Sequence, residues 1–161
     1  MSFKFGYLTP KQRSFWRLRF DGYTQAEISR KMGVTRQTVN KAFGVIDSKV
    51  AKALLEAAQL NKVEISRLDM ERGFLLGRSH VFGLDTLVTF SDENGVQIWY
   101  RGEGRCSECE AVDSCREKLL IEAKVRGIEP LDCSEDIIPT KLADLLFKKI
   151  MEGGGRVSSS G

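Results

Sequence analysis

Residues 24–43, TQAEISRKMGVTRQTVNKAF, carry the strongest structural signal in this chain of 161 residues. Thr24 is followed three positions later by Glu27, which is the capping-box pattern found at helix N termini. Gly33 then interrupts the apolar spacing and suits a sharp turn, and Thr35 can cap another helix. These residues therefore predict two helices joined by a short turn.

Helical patterns also flank this segment on both sides. Thr9 and Pro10 predict the start of a first helix, which ends near residues 21–23, DGY. Residues 43–62, FGVIDSKVAKALLEAAQLNK, keep helical spacing of apolar residues without proline. The stripe consists of Val45, Ile46, Val50, Ala53, Leu54 and Ala57. It either packs within the chain or forms the seam of a homodimer, and the sequence leaves both open.

The N-terminal part resembles a known DNA-binding motif. The apolar, small, apolar, glycine, apolar and apolar positions of that motif match Ile28, Ser29, Met32, Gly33, Val34 and Val39. Residues 8–60 resemble the helix-turn-helix of bacterial sigma-factor region 4, of LuxR-type regulators and of archaeal Tfx-like transcription regulators. The resemblance implies a DNA-binding domain, which we assign to residues 1–62, in a regulator that binds double-stranded DNA.

Charge is divided unevenly between the two parts of the chain. Residues 1–62 contain 12 Lys and Arg against 4 Asp and Glu, whereas the remaining 99 residues contain 13 against 18. A basic unit joined to an acidic one is typical of a nucleic-acid reader attached to a second unit with another role.

The third helix supplies side chains suited to reading bases. Val34, Val39 and Ala42 are expected to hold it against the second helix, so its polar residues face outward. Arg reads guanine and Gln or Asn reads adenine in the major groove, while flanking cations hold phosphates. The predicted DNA-binding residues are Thr35, Arg36, Gln37, Thr38, Asn40 and Lys41, with Lys11, Arg13 and Arg30 beside them.

Beyond residue 62 the pattern changes to that of a small α+β domain, assigned to residues 63–152. Residues 62–69, KVEISRLD, alternate between apolar and polar, and SDENG at 91–95 contains the Asn-Gly pair typical of hairpins. Residues 86–90 and 96–100 are the predicted hairpin strands, and helices are expected within 114–127 and 139–155. Residues 153–161 are predicted to be a disordered tail. The expected fold class is α+β, with an all-α N-terminal domain.

Four cysteines form the pattern Cys106-x2-Cys109-x5-Cys115-x17-Cys133, which includes every cysteine of the chain. Their neighbours are polar, which argues against a core role. A reducing cytoplasm disfavours disulfides. Four thiolates satisfy either Zn2+ or an iron-sulfur cluster, so the spacing predicts a metal centre.

The triplet Cys106, Cys109 and Cys115 resembles the cluster-binding segments of WhiB-like regulators and of endonuclease III-type DNA glycosylases. In those families such a triplet holds three corners of a [4Fe-4S] cluster, and the remaining cysteine lies on its N-terminal side. Here the fourth cysteine, Cys133, lies on the C-terminal side. The resemblance implies a redox-labile [4Fe-4S] cluster that modulates DNA affinity. The alternative is a structural zinc site, with a small ligand or no signal.

Other classes find little support in the sequence. Apolar runs are far shorter than the roughly 20 residues of a membrane span, and the N terminus lacks a signal-peptide core, so a cytoplasmic location is expected. Nucleophile-elbow, Walker and dinucleotide motifs are absent. An enzyme acting on nucleic acid is disfavoured because the cysteine-bearing part is acidic. We therefore expect a non-enzymatic regulator.

Overall fold

The computed structural model describes residues 8–102, 104–128 and 137–152. Within them the fold class is α+β, as expected from the sequence, and it comprises five α-helices and a four-stranded sheet. The α-helices are α1 (Pro10–Phe20), α2 (Gln25–Met32), α3 (Arg36–Leu60), α4 (Val112–Val125) and α5 (Pro139–Glu152). The strands are β1 (Val63–Asp69), β2 (Phe74–Ser79), β3 (Asp85–Ser91) and β4 (Gly95–Tyr100), and Cys106–Glu108 form a short 3-10 turn.

The helix starts expected from the sequence are confirmed. Thr9 caps α1 in a capping box with Gln12, and Thr24 caps α2 in a capping box with Glu27. Gly33 follows α2 in the left-handed conformation, with φ of 64°. The Thr35 side chain accepts a hydrogen bond from the backbone N–H of Thr38 at the start of α3.

Helix α3 is longer than a recognition helix alone. Its 25 residues include both the predicted third helix and the helical pattern that follows it. Gly44 lies inside this helix without breaking it. The buried stripe runs unbroken past Gly44, from Val39 and Phe43 to Ile46 and Val50, and burial of one continuous face outweighs the helix cost of a single glycine.

The sheet is an antiparallel meander in the order β1-β2-β3-β4. The predicted hairpin is confirmed as β3 and β4, with Phe90 opposite Val96 and Ser91 opposite Gly95. Strand β1 pairs with β2 and contains a register shift between Ile65 and Arg67.

The sheet separates two hydrophobic cores. On one face, helices α1–α3 pack on sheet residues that include Val63, Leu75, Val88 and Phe90. On the other face, α4 and α5 pack on Phe74, Leu87 and Trp99. The first core thus crosses the domain boundary expected at residue 62, where α3 gives way to β1.

The apolar stripe of α3 is used within the chain. Ile46, Val50, Ala53 and Leu54 are fully buried in the first core, whereas Val45 is about half exposed. Of the two roles that the sequence left open for this stripe, packing within the chain and forming a homodimer seam, the structure shows the first.

The C-terminal helices begin close to their expected starts. Helix α5 begins at Pro139, whereas α4 begins at Val112 and places Cys115 in its first turn. Cys133 and the predicted tail at 153–161 lie outside the described residues. Among the helices described, none is long and apolar enough to cross a membrane.

Candidate nucleic-acid interface and candidate metal centre

The first candidate site lies where α2 meets α3. Three residues separate the two helices, and the N–H of Val34 donates to the Ser29 carbonyl over 3.0 Å. Ile28 on α2 and Val39 on α3 are fully buried in the same core. Together the turn and this packing fix the direction in which α3 leaves α2.

Every predicted DNA-binding residue of α3 is exposed. They are Arg36, Gln37, Thr38, Asn40 and Lys41, and the capping residue Thr35 is exposed as well. The hydroxyls of Thr35 and Thr38 are 2.9 Å apart, so both are engaged in the cap. The first turn of this described helix contains no acidic residue. Because a helix N terminus carries partial positive charge, this end of α3 is suited to meet phosphate.

The three outlying cations differ in their surroundings. Lys11 and Arg30 are exposed. Arg13 is partly buried, and its Nη2 donates to the carbonyl oxygen of Asp92 over 3.3 Å. Of the three, Arg13 therefore contacts the turn between β3 and β4.

Arg17 also faces this turn, and its partners were not predictable from the sequence. Its Nη2 lies 2.7 Å from Asp92 Oδ2 and 2.9 Å from Glu93 Oε1. Burial acts to lower the pKa of Arg17, but the charge of Asp92 and the hydrogen bonds with Glu93 and Asp92 outweigh it and raise that pKa. Arg13 and Arg17 are thus both engaged with the turn between β3 and β4.

The second candidate site begins at the cysteine pair. The N–H of Cys109 donates to the Cys106 carbonyl over 3.3 Å, and the N–H of Val112 donates to the Cys109 carbonyl over 3.2 Å. These two consecutive turns lead directly into α4. They bring the pair and Cys115 to the same end of that helix.

The Cys115 thiol is affected by its surroundings. Burial raises the pKa of the Cys115 thiol, and the charges of the neighbouring Cys106 and Cys109 raise it further. Cys106 Sγ lies 3.9 Å from Thr140 Oγ1 in the first turn of α5. Cys106 and Cys115 both line a cavity of about 420 Å³ between β4 and the starts of α4 and α5.

Thiolates are donors that a thiophilic metal prefers, but the described part of the chain does not form a metal site. The three described cysteines are free thiols, and none of them is fully buried. Within residues 8–102, 104–128 and 137–152, no group of three or more His, Cys, Asp or Glu is arranged to hold a metal ion. The fourth predicted ligand, Cys133, lies outside those ranges. The four-cysteine centre stays a prediction.

A buried charged pair on α4 was missed by sequence reasoning. Arg126 Nε donates to Glu122 Oε2 over 3.0 Å, and both side chains are buried. Charges four residues apart normally mark a solvated helix face. No signal in the sequence distinguishes this pair from an exposed one.

Comparison with family models, with curated proteins and with solved structures found no match to this chain.

Proposed function

We propose that the chain is a sequence-specific transcription regulator that reads double-stranded DNA with the N-terminal turns of α3. One observation carries the proposal: the five polar residues of α3 between Arg36 and Lys41 are all exposed, on a helix whose other face is buried. Exposed side chains of this kind would be available to base edges in a major groove. The resemblance of residues 8–60 to helix-turn-helix proteins supports the same reading.

The DNA proposal is tested by selecting duplexes from a random pool with the purified protein. Arg36→Ala or Asn40→Ala should weaken binding of the selected duplex by about 1–3 kcal/mol and relax preference at one base pair. Lys41→Ala should weaken all duplexes alike and reduce the salt slope by about one. Lys52→Ala, further along the exposed side of α3, is the matched control and should change neither. Recovery of no preferred sequence would contradict the proposal.

We further propose that Cys106, Cys109, Cys115 and Cys133 bind a redox-labile [4Fe-4S] cluster. The two turns that bring Cys106 and Cys109 to the same end of α4 as Cys115 support a shared ligand. Soft thiolates gathered in this way are the donors that such a cluster requires. Zn2+ is the alternative, and the tight turn that joins Cys106 to Cys109 favours it as much as the cluster.

Metal identity is tested on protein purified without oxygen. The cluster predicts a brown protein with about four irons and four sulfides per chain, as four cysteine ligands around a cubane require. One zinc per colourless chain would establish the alternative. Cys109→Ala should abolish either centre, and a metal content unchanged by that substitution would contradict both.

The mechanism that we propose is a shift between two states of the C-terminal half. A bound metal would hold the starts of α4 and α5 together, and its loss would loosen them and change DNA affinity. We also propose a homodimer, since two copies can read a two-fold symmetric site. Sedimentation velocity with and without the selected duplex tests this, and a monomer in both samples would contradict it.

A further inference from the structure

A chain of polar contacts crosses the molecule from α4 to α1 through the turn between β3 and β4. On the α4 side, Asn94 Nδ2 donates to the Lys118 carbonyl over 2.9 Å and to Glu122 Oε1 over 3.2 Å. The Ser91 hydroxyl donates to the same carboxylate oxygen over 3.0 Å.

On the α1 side, Arg17 Nε and Nη2 donate to Asp92 Oδ2 over 3.1 and 2.7 Å. We call Arg17, Ser91, Asp92, Asn94 and Glu122 the polar bridge.

Three members of the polar bridge are buried, whereas Arg17 and Asn94 are partly exposed. Ser91, Asp92 and Glu122 are all buried, and the Ser91 hydroxyl also accepts the backbone N–H of Asn94 over 3.1 Å. Hydrogen bonds in such surroundings are costly to leave unmade. A displacement of α4 therefore has to move the turn or break several of these bonds.

Helix α4 connects this bridge to the thiols. Cys115, Lys118 and Glu122 are three and then four residues apart, so they lie along one face of the helix. The first of them belongs to the candidate metal centre and the last to the polar bridge. Because a helix moves largely as a unit over two turns, a shift at Cys115 is carried to Glu122.

A second contact joins the same two helices. The Arg126 guanidinium lies 5.6 Å from the ring centroid of Phe20, the last residue of α1. It also donates to the carbonyl oxygens of Gly73 and Phe90, over 3.0 and 3.1 Å. The end of α4 is thus fixed both to the sheet and to the end of α1.

We propose that the polar bridge transmits the state of the thiol site to α1 and, through the first core, to the DNA-binding end of α3. The regulatory half of this inference, that the state of the thiol site changes DNA affinity, rests on the proposed function. The mechanical half, that a change at the thiols alters α1, does not depend on metal or DNA binding.

The mechanical half is tested by alkylating the reduced, metal-free protein with iodoacetamide and measuring amide hydrogen exchange. Alkylation should accelerate exchange in residues 10–20 of the wild-type protein. In Asn94→Ala, which removes both amide donations to α4, that acceleration should fall at least about fivefold, the lower end of typical coupling between sites. Asn61→Ala removes a comparable bond, from Nδ2 to the Ala57 carbonyl over 2.9 Å, far from α4 in sequence. It should respond like the wild type.

A second variant keeps the test decisive if Asn94→Ala fails to fold. Arg17→Lys keeps the charge but loses the two-pronged contact with Asp92 on the α1 side, and it should reduce the response in the same way. The proposal would be overturned if alkylation left the exchange rate of α1 in the wild-type protein unchanged. It would also be overturned if alkylation accelerated that exchange equally in the wild type and in both bridge variants.

The regulatory half has its own readout in the ratio of DNA affinities with and without bound metal. This ratio should move toward one in the bridge variants. A transmitted exchange response without any DNA binding would overturn the proposed function and leave the mechanical link standing. DNA binding whose metal dependence is unchanged in Asn94→Ala and Arg17→Lys would overturn the link alone.

Discussion

Glu122 and Arg126 form an ion pair in the interior of the molecule, with side chains 0% and 5% exposed and 3.0 Å between Oε2 and Nε. The guanidinium is shared with three backbone carbonyls, those of Arg72, Gly73 and Phe90. These carbonyls belong to the link between β1 and β2 and to the end of β3. The pair therefore secures the end of α4 to the sheet through hydrogen bonds to its backbone.

Removing the cation of this pair should cost much more than removing an exposed one. Arg126→Met leaves the buried Glu122 carboxylate without its counter-charge, and we expect the free energy of unfolding to fall by about 3–5 kcal/mol. Arg101→Met is the control, because its pair with Asp144 spans 3.9 Å between partly exposed side chains. That control should lie within about 1 kcal/mol of the wild type. Urea unfolding measures both, and equal losses would contradict the expectation.

Two glycines offer a matched test of packing. A Cβ on Gly77 in β2 would lie 2.6 Å from Val63 Cγ1 and against the Glu64 carbonyl. Gly77→Ala should therefore lower stability by about 1–3 kcal/mol. A Cβ on Gly44 in α3 meets nothing within 4 Å, so Gly44→Ala should raise stability by about 0.5–1 kcal/mol. Thermal unfolding compares the two, and a shift of the same sign in both would refute the packing described here.

The capping box of α2 should make stability depend on pH. Hydrogen bonds from the Thr24 backbone and side chain, with smaller contributions from Arg30 and Lys31, lower the pKa of Glu27 below its ordinary value. A carboxyl whose pKa is lowered on folding stabilises the folded state above its unfolded pKa. That contribution is lost as the pH falls through the lowered value.

Glu27→Gln isolates this contribution, because glutamine keeps the capping geometry without the charge. We expect the variant to be less stable than the wild type at about pH 7, and the difference to vanish well below the ordinary pKa of Glu, about 4.3. Urea unfolding across this range checks it. If the stability difference between the variant and the wild type persisted at the lowest pH, the ionised Glu27 carboxylate would not be its source.

The thiols should differ in reactivity when no metal is bound. Cys109 is exposed, whereas Cys115 is partly buried and its pKa is raised by burial and by its two neighbouring thiols. Because the thiolate is the reactive form, iodoacetamide should modify Cys109 before Cys115 at mildly alkaline pH. Peptide mass spectrometry over time measures the order. Faster modification of Cys115 would contradict the surroundings described for it.

Local signals in the sequence predicted most of the secondary structure. Capping residues such as Thr24 and Thr35 fix helix starts through their own hydrogen bonds, and Asn94-Gly95 lies at a turn that neighbouring residues determine. The exposure of Arg36 and Asn40 also followed from the spacing of the buried residues in α3. Properties that depend on three or four adjacent residues were therefore accessible.

Long-range partnerships were not accessible in this way. Arg17 reads as one more cation of a basic unit, yet its partners Asp92 and Glu93 lie 75 and 76 residues away. The burial of Glu122 and Arg126 depends on the whole fold, and their spacing does not predict it. The core that is shared across residue 62 was not predicted for the same reason. The apolar stripe of α3 does not indicate which residues pack against it.

Control of DNA binding by the cysteine centre can be measured as a change in DNA affinity. Fluorescence anisotropy would give the affinity of the anaerobically purified protein for its selected duplex, before and after removal of the metal. We expect binding in at least one state and a change in affinity between the states of about 5- to 150-fold, the usual range of coupling between two sites. Equal affinity in both states would reduce the cysteine centre to a structural element, and binding in neither would exclude the DNA-binding role.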